Sequence, residues 1–150
     1  MLLRPHREIR CLRFSDFKDD FSILSLDGKR VKSKRNRIVP VPEAVKQELA
    51  SRFKIVDDRE ANIFSLQPYE HNNSYFKGLW SKYKKRSTLL THNHTLYSFR
   101  HTGAIRVFEK TGSLRKLQQV MGHSDMKVSL TYLRGLEVQS LDINDLPDLV

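Results

Sequence analysis

The sequence has a single cysteine and no long apolar stretch. With Cys11 alone, an internal disulfide is excluded and no cysteine cluster is available to hold zinc. The N-terminal residues include Arg4, Arg7 and Arg10, which excludes the apolar stretch of a signal peptide, and no later segment could span a bilayer. We therefore expect a cytoplasmic protein in a reducing compartment, without a membrane partner.

Acidic residues are scarce relative to basic ones. The 17 Asp and Glu against 27 Lys and Arg leave a net charge of +10 and a pI near 9.9. Such a balance is typical of proteins that bind a phosphate backbone, although a solubilising or membrane-surface charge has the same composition. With 150 residues, of which 39% are hydrophobic and 29% charged, the chain suits one globular domain with its own core.

Local patterns predict a short helix followed by a small sheet in the N-terminal third. Residues 5–13 have the spacing of a helix that begins with Pro5. Three β-rich runs follow at residues 21–26, 30–33 and 37–41, with a turn at Asp27 and Gly28 between the first two. They predict a three-stranded antiparallel sheet.

The remaining residues are predicted to be mostly helical. Pro42 begins one helix, and Asn73 or Ser74 caps another that places Phe76 and Trp80 in the core. Three further helices are predicted, with these boundaries: residues 97–110 stopped by Gly112, a helix from Ser113 to the stop at Gly122, and a helix capped by Ser124 or Asp125 that runs to Tyr132. The expected fold class is α+β, mainly α-helical.

Three segments resemble the signature blocks of the tyrosine recombinase (phage integrase) family: LLRPHREIRCLRFSDF, LYSFRHTGAI and VMGHSDMKVSLTY. That family has His-x-x-Arg on a helix, then a Leu-Gly-His turn, then a tyrosine one short helix later. The corresponding residues here are Tyr97, Arg100, Met121-Gly122-His123 and Tyr132. The resemblance covers nearly the whole chain and is to integrases of the conjugative-transposon type. It implies the catalytic fold of that family, with the active site between the sheet edge and the helices.

Two further positions of the family are matched in the N-terminal third. Arg4, in Leu-Arg-Pro, lies where the family has its first catalytic arginine, and one extra residue before Glu8 makes Glu8 the weaker match. The segment KSKRNRIVPVP resembles the β-hairpin that carries the family's catalytic lysine. Counting back from Arg37 places that lysine at Lys32, with Lys34 as the alternative.

The resemblance implies a role for each residue. Arg4 and Arg100 would bind the non-bridging oxygens of a phosphodiester, where planar guanidiniums give paired hydrogen bonds. Tyr132 would attack phosphorus and form a 3′-phosphotyrosine that stores the bond energy, so that no metal or other cofactor is needed. Lys32 would protonate the leaving 5′-hydroxyl, and His123 would donate to a phosphate oxygen.

Tyr97 stands where the family more often has histidine. It lies three residues before Arg100, on the same helix face, and could bond the phosphate or orient Tyr132 but not act as a base at neutral pH. We expect His101 to pack or form a hydrogen bond beneath Arg100, outside the site. Solvent or loop roles, rather than zinc binding, are expected for the other histidines: His6, His71, His92 and His94.

The implied function is site-specific recombination, integration and excision of a mobile element, on double-stranded DNA and in a tetramer of protomers. Residues 1–150 then correspond to a C-terminal catalytic domain that lacks the helical core-binding domain of full recombinases. Two alternatives remain. The chain could be a catalytically incomplete DNA-binding remnant, or an enzyme resembling type IB topoisomerases.

The C-terminal tail, residues 136–150, combines frequent apolar residues with acidic ones. Apolar residues this frequent favour docking on a protein surface, and acidic charge is repelled by DNA but attracted to a basic neighbour. In the resembling recombinases this segment packs on a neighbouring subunit. The alternative is that the tail folds back on its own domain.

Overall fold

The computed structural model describes residues 2–31, 34 and 36–134, which form a mainly helical α+β fold with one small sheet, as predicted. The strands are β1 Phe17–Lys18, β2 Ile23–Leu26 and β3 Arg37–Pro40. The helices are α1 Glu43–Val56, α2 Tyr75–Arg86, α3 Leu96–Thr111, α4 Leu114–Met121 and α5 Met126–Leu130. None of these described helices is long and apolar enough to cross a membrane.

The antiparallel sheet has the order β1-β2-β3, with Leu24 of β2 paired to Phe17 on one side and Val39 on the other. A three-stranded antiparallel sheet is confirmed, and the predicted strands at 21–26 and 37–41 correspond to β2 and β3, but β1 is a strand that the pattern did not predict. The prediction of a strand at 30–33 is wrong at its start, because Gly28–Arg30 forms a 3-10 turn. The Asp27 carboxylate caps this turn by accepting from the Lys29 N–H at 2.8 Å.

The N-terminal helical segment is shorter than predicted and covers only Pro5–Ile9. It is one wide turn, in which the Ile9 N–H donates to the carbonyl of Arg4 at 3.0 Å. The chain then leaves the helix because its backbone pairs with another segment: the Phe14 N–H donates to Ala61, and the Leu12 carbonyl accepts from Ile63. Long-range backbone bonds therefore replace the helix expected up to residue 13.

The larger hydrophobic core joins the N-terminal turn, the sheet and α1. Phe14 and Phe17 are almost fully buried, and the Phe14 ring packs edge-on against Phe53 at 5.3 Å between centroids. Leu49, one turn earlier on α1, is buried in the same cluster, as its helical spacing predicts. Burial of each such side chain contributes about 1.5–3 kcal/mol.

A second, smaller core lies between α3, α4 and the turn after α5. Ala104, Leu117 and Met121 are fully buried there, with Tyr132 and Leu133 packed against them. The predicted stops are confirmed, since Gly112 and Gly122 have φ of 60° and 66° at the ends of α3 and α4. Ser113 and Asp125 cap the helices that follow, by accepting from Lys116 and Lys127 N–H groups respectively.

Helix α2 differs from its prediction, because none of its residues is buried. Phe76 and Trp80 are only partly covered. The Trp80 indole donates to the His94 carbonyl at 3.1 Å, and its ring contacts Phe99 at 5.5 Å. These aromatic residues attach α2 to the chain around α3 and do not form a core of their own.

Gly103 lets the N-terminal segment pack closely on α3. A Cβ atom at this position would lie 2.3 Å from Cδ2 of Leu2. Since real Cβ contacts are never so short, any larger residue would displace Leu2 or the helix. The segment that carries Arg4 is thereby placed beside α3.

Candidate active site

Three of the predicted side chains meet in one cluster. Arg100 lies on α3, His123 in the turn between α4 and α5, and Tyr132 in the 3-10 turn that follows α5. Arg100 Nη2 is 3.3 Å from His123 Nε2, and the His123 and Tyr132 rings are 5.4 Å apart between centroids. The Cζ atom of Arg100 lies 6.0 Å from the centre of the Tyr132 ring. The helix stop at Gly122 turns His123 back towards α3 and so brings the two signature blocks together.

The Arg100 guanidinium is buried, with only 3% of the residue exposed. Its Nη2 donates to the Met121 carbonyl at 2.6 Å. Its Nε and Nη1 are buried without a hydrogen-bond partner among the residues that the structure describes. A buried N–H without an acceptor is costly, so this side chain is suited to receive an anion.

A buried carboxylate holds the predicted first arginine. Glu8 Oε1 accepts from Arg4 Nη1 at 2.5 Å, and Glu8 Oε2 accepts from the Arg4 N–H at 3.0 Å. Arg37 Nη1 also donates to Oε2, at 3.2 Å. The side chain of Glu8 is 1% exposed, so it acts as the counter-ion of two guanidiniums and not as a surface charge. Glu8 therefore belongs to the cluster despite its weak match in spacing.

Arg37 is the residue that the sequence reasoning did not assign. Its Nη2 donates to the carbonyl of Leu2 at 3.1 Å and to that of Val120, so one side chain joins the N-terminal segment to the end of α4. Alternation along β3 could have found it, because Arg37 and Val39 both point inward while Ile38 is exposed. A cation on the buried face of a strand indicates a partner in the interior.

The electrostatics of the cluster keep His123 neutral. Burial lowers its pKa to about 4, helped by the guanidiniums of Arg100, Arg4 and Arg37 and opposed by Glu8. Burial also lowers the pKa of Arg37 to about 10, again opposed by Glu8, which leaves Arg37 charged at neutral pH. The site thus concentrates positive charge around an uncharged imidazole.

Ser129 of α5 is a second residue that the sequence reasoning missed. It is fully buried, and its Oγ lies 3.0 Å from Nδ1 of His123. Its position six residues after His123 places it on the inner face of a short helix. Both ring nitrogens of His123 therefore have defined partners.

Tyr97 and His101 lie at the margin of the cluster. Tyr97 is 43% exposed in the first turn of α3, and its ring is 6.5 Å from that of His6. The prediction that His101 packs beneath Arg100 is wrong, because its side chain is exposed and its ring is 5.8 Å from the Tyr132 ring. One residue further along the helix, the direction of the side chain rotates by about 100°.

Lys32 and the tail at 136–150 lie outside the described residues. Lys34 is exposed and has a φ of 54°. A cleft of about 330 Å³ opens beside His123 and Arg37. Across residues 2–31, 34 and 36–134, no three His, Cys, Asp or Glu side chains gather as a metal site would require.

The known proteins that this chain resembles in sequence are tyrosine recombinases. Tyrosine recombinase XerA of Thermococcus onnurineus (strain NA1) is 26% identical over 136 residues, covering 85% of this chain and 45% of XerA. A tyrosine recombinase of Pseudothermotoga lettingae is 30% identical over 118 residues, covering 74% of this chain and 38% of that protein. The chain therefore spans less than half the length of these relatives.

Solved structures share the fold. A crystal structure of XerA recombinase superposes with a TM-score of 0.67 at 22% identity, covering 92% of this chain and 48% of the other. The Tn1549 transposon integrase in complex with transposon right end DNA gives a TM-score of 0.63 at 23% identity, covering 96% and 52%. The sequence model of the phage integrase family matches residues 3–145. This chain therefore belongs to the phage integrase family, the tyrosine recombinases.

Proposed function

We propose that this chain catalyses site-specific DNA recombination, the integration and excision of a mobile element, through a 3′-phosphotyrosine intermediate at Tyr132. The observation that carries the proposal is the buried Arg100 guanidinium, which lies beside both His123 and the Tyr132 ring. Family membership supports the same chemistry. Because the matched relatives are about twice as long, the activity of a whole recombinase is part of this proposal.

Arg100 and Arg4 would bind the non-bridging oxygens of the scissile phosphate. Arg100 has two buried N–H groups without a partner among the described residues, and Arg4 is oriented by Glu8. Negative charge grows on those oxygens in the transition state, so donors that are already fixed stabilise it without reorganising. Arg37 stays charged behind them and holds Glu8 in place.

Tyr132 would supply the nucleophile. The Tyr132 phenol loses its proton as its oxygen attacks phosphorus. The attack forms a phosphotyrosine bond and breaks the bond to the 5′-oxygen, which gains a proton and leaves as a hydroxyl, so no net proton is consumed. The reverse attack by a 5′-hydroxyl from another strand releases Tyr132 and restores the phosphodiester. Bond energy is conserved in both steps, so we propose that neither ATP nor a metal takes part.

His123 is proposed to donate to a phosphate oxygen once it carries a second proton. It is neutral in the free protein, because burial and three guanidiniums lower its pKa. A bound phosphodiester brings negative charge next to the ring and favours the protonated form. Tyr97 keeps its proposed role of bonding the phosphate or orienting Tyr132.

Lys32 is proposed as the acid that protonates the 5′-oxygen, with Lys34 as the alternative. A substrate with sulfur at the 5′-bridging position has a leaving group that hardly needs a proton, so Lys32→Ala should recover cleavage on it. Lys34→Ala is the matched control. Recovery by the Lys34 variant alone would reverse the assignment.

Duplex DNA and further protomers are the proposed partners. The chain carries a net charge of +10, which suits a phosphate backbone, and the related Tn1549 integrase is seen with transposon DNA. Assembly of four protomers on paired sites and a cytoplasmic location complete the proposal. The type IB topoisomerase alternative shares the chemistry but needs no paired sites.

A nicked suicide substrate tests the central claim. The wild-type chain should form a protein–DNA adduct that survives denaturation, because the broken strand cannot be resealed after a short fragment diffuses away. Tyr132→Phe should form none. Tyr69→Phe, which changes an exposed tyrosine distant from Tyr132 in the sequence, should behave as wild type. An adduct in the Tyr132 variant would refute the nucleophile. Duplex binding without any wild-type adduct would favour the DNA-binding remnant.

A further inference from the structure

We propose that Ser129 is a positioning residue that fixes His123 in the tautomer protonated at Nδ1, with Nε2 facing Arg100 as an acceptor. Each ring nitrogen of His123 has its own hydrogen-bond partner. Ser129 Oγ lies 3.0 Å from Nδ1, and Arg100 Nη2 lies 3.3 Å from Nε2. All three residues are buried, so water does not offer the ring an alternative set of partners.

The donor and acceptor inventory decides the tautomer. A guanidinium has only N–H donors, so Nε2 of His123 must present its lone pair to Arg100. In a neutral imidazole the single proton is then on Nδ1. A serine hydroxyl can accept or donate, so the Ser129 oxygen, 3.0 Å from Nδ1, can accept the hydrogen bond that this tautomer requires. Arg100 therefore requires an unprotonated Nε2, and Ser129 provides the acceptor for the proton on Nδ1.

The surroundings favour the neutral ring that this reasoning requires. Burial lowers the pKa of His123 to about 4, and the guanidinium charges act in the same direction. The Tyr132 ring lies 5.4 Å from the His123 ring and 5.8 Å from that of His101, between centroids. The charged groups that face the ring come from three elements: Arg100 on α3, Arg37 on β3, and Arg4 with Glu8 at the N-terminal turn.

The consequence for the reaction rests on the proposed function. With Nδ1 already donating to Ser129, the second proton can enter only at Nε2. It then replaces the hydrogen bond from Arg100 Nη2, which keeps the Met121 carbonyl as its acceptor. The imidazolium would then donate from both nitrogens, to Ser129 and to a phosphate oxygen. Without Ser129, the ring could rotate or take the other tautomer, and donation to the phosphate would lose its direction.

The tautomer can be read in the DNA-free chain. Long-range proton–nitrogen NMR correlations of the 15N-labelled protein distinguish a protonated ring nitrogen from an unprotonated one, with His123→Asn used to assign the signals. Wild type at neutral pH should show His123 protonated at Nδ1. In Ser129→Ala the ratio of the two tautomers should shift by about fivefold towards Nε2, the equivalent of one hydrogen bond.

Matched variants separate positioning from folding. Ser129→Thr keeps the hydroxyl and should restore both the tautomer and suicide-substrate cleavage, while Ser124→Ala, at an exposed serine beside His123, should change neither. Ser129→Ala should cleave about tenfold more slowly at unchanged DNA affinity. Protonation at Nε2 in wild type, or the same tautomer ratio in Ser129→Ala, would overturn the inference. If wild type shows the inferred tautomer but forms no adduct with the suicide substrate, the proposed function is refuted and the inference about Ser129 is not.

Discussion

At the scale of single residues, the buried pair of Glu8 and Arg37 contributes most to holding the site together. Their side chains are 1% and 5% exposed, so neither charge is compensated by water. We expect Arg37→Met to reduce the free energy of unfolding by about 3–5 kcal/mol, because Glu8 loses one of its two cations. Urea denaturation would measure the loss.

A surface pair offers the control for this prediction. Arg52 and Glu48 on α1 are 39% and 63% exposed, and their contact is worth at most about 1 kcal/mol. Glu48→Gln should therefore leave the denaturation midpoint nearly unchanged. Equal losses in the two variants would mean that Glu8 is hydrated and that the buried arrangement is not maintained in solution.

His123 should make stability depend on acidity. Its folded pKa, about 4, lies below the ordinary value of 6.5, so the unfolded chain binds the proton more readily. The stability that the neutral His123 ring contributes is fully present above pH 6.5 and is lost as the pH falls towards 4. At pH 4.5 the free energy of unfolding should be lower by on the order of 2 kcal/mol. His123→Asn should lose correspondingly less between pH 7 and 4.5 in urea denaturation, and parallel losses would contradict the buried neutral ring.

The sequence could predict which residues approach one another where a helix or tight turn fixes their spacing. Arg100 and His123 meet because Gly122 ends α4 and reverses the chain, and both features are visible in the sequence. The partners of the charges could not be predicted in this way. Glu8 with Arg37, and Arg100 with Met121, are contacts between separate elements and exist only in the packed molecule.

At the scale of elements, structure that depends on local signals could be predicted from the sequence, and structure that depends on long-range pairing could not. Helix boundaries were predicted well, since the Ser113 cap and the Gly112 stop act within one turn. Strand β1, with only Phe17–Lys18, has too few residues to show an alternating pattern, and it exists because β2 pairs with it. The predicted N-terminal helix is too long because the spacing of residues in the sequence does not reveal the backbone pairing with residues 61–63.

Helix α2 is the element on which DNA affinity should depend most. It has no acidic residue, buries none of its side chains and ends with the exposed cations Lys82, Lys85 and Arg86. Lys84 is excluded because its Nζ donates to the carbonyls of His92 and His94.

Replacing the three exposed cations with alanine should weaken duplex binding and reduce the slope of log affinity against log salt by about 3, through lost counterion release. The matched control replaces Lys18, Lys46 and Lys54, of which Lys46 is already paired with Asp20. Fluorescence anisotropy over a salt series measures both slopes. Equal slopes for the two triple variants would remove α2 from the DNA interface.

At the scale of the whole molecule, assembly is expected to require DNA. We predict a mostly monomeric protein in solution and association on a paired recombination site. Deleting the residues beyond position 137 should weaken that association, because the apolar and acidic tail is proposed to dock on a neighbouring protomer. Light scattering with and without site DNA, for intact and truncated chains, measures it. The same mass for both chains on DNA would leave the tail without a role in assembly.

The bond from Arg37 to the carbonyl of Val120 joins positions 83 residues apart in the chain, and the bond to Glu8 joins positions 29 apart. During synthesis, the N-terminal turn and the sheet emerge from the ribosome well before α4 does. Until Val120 is available, Arg37 lacks one of its anchors, and the His123 turn that must face Arg100 has not been made. Contacts between residues so far apart in the chain slow folding, because the entropy of closing the loop is lost before the contact stabilises the fold. A partly translated chain therefore lacks the cluster of Arg100, His123 and Tyr132, so the proposed cleavage site can be complete only after α4 and the turn that follows α5 have been made.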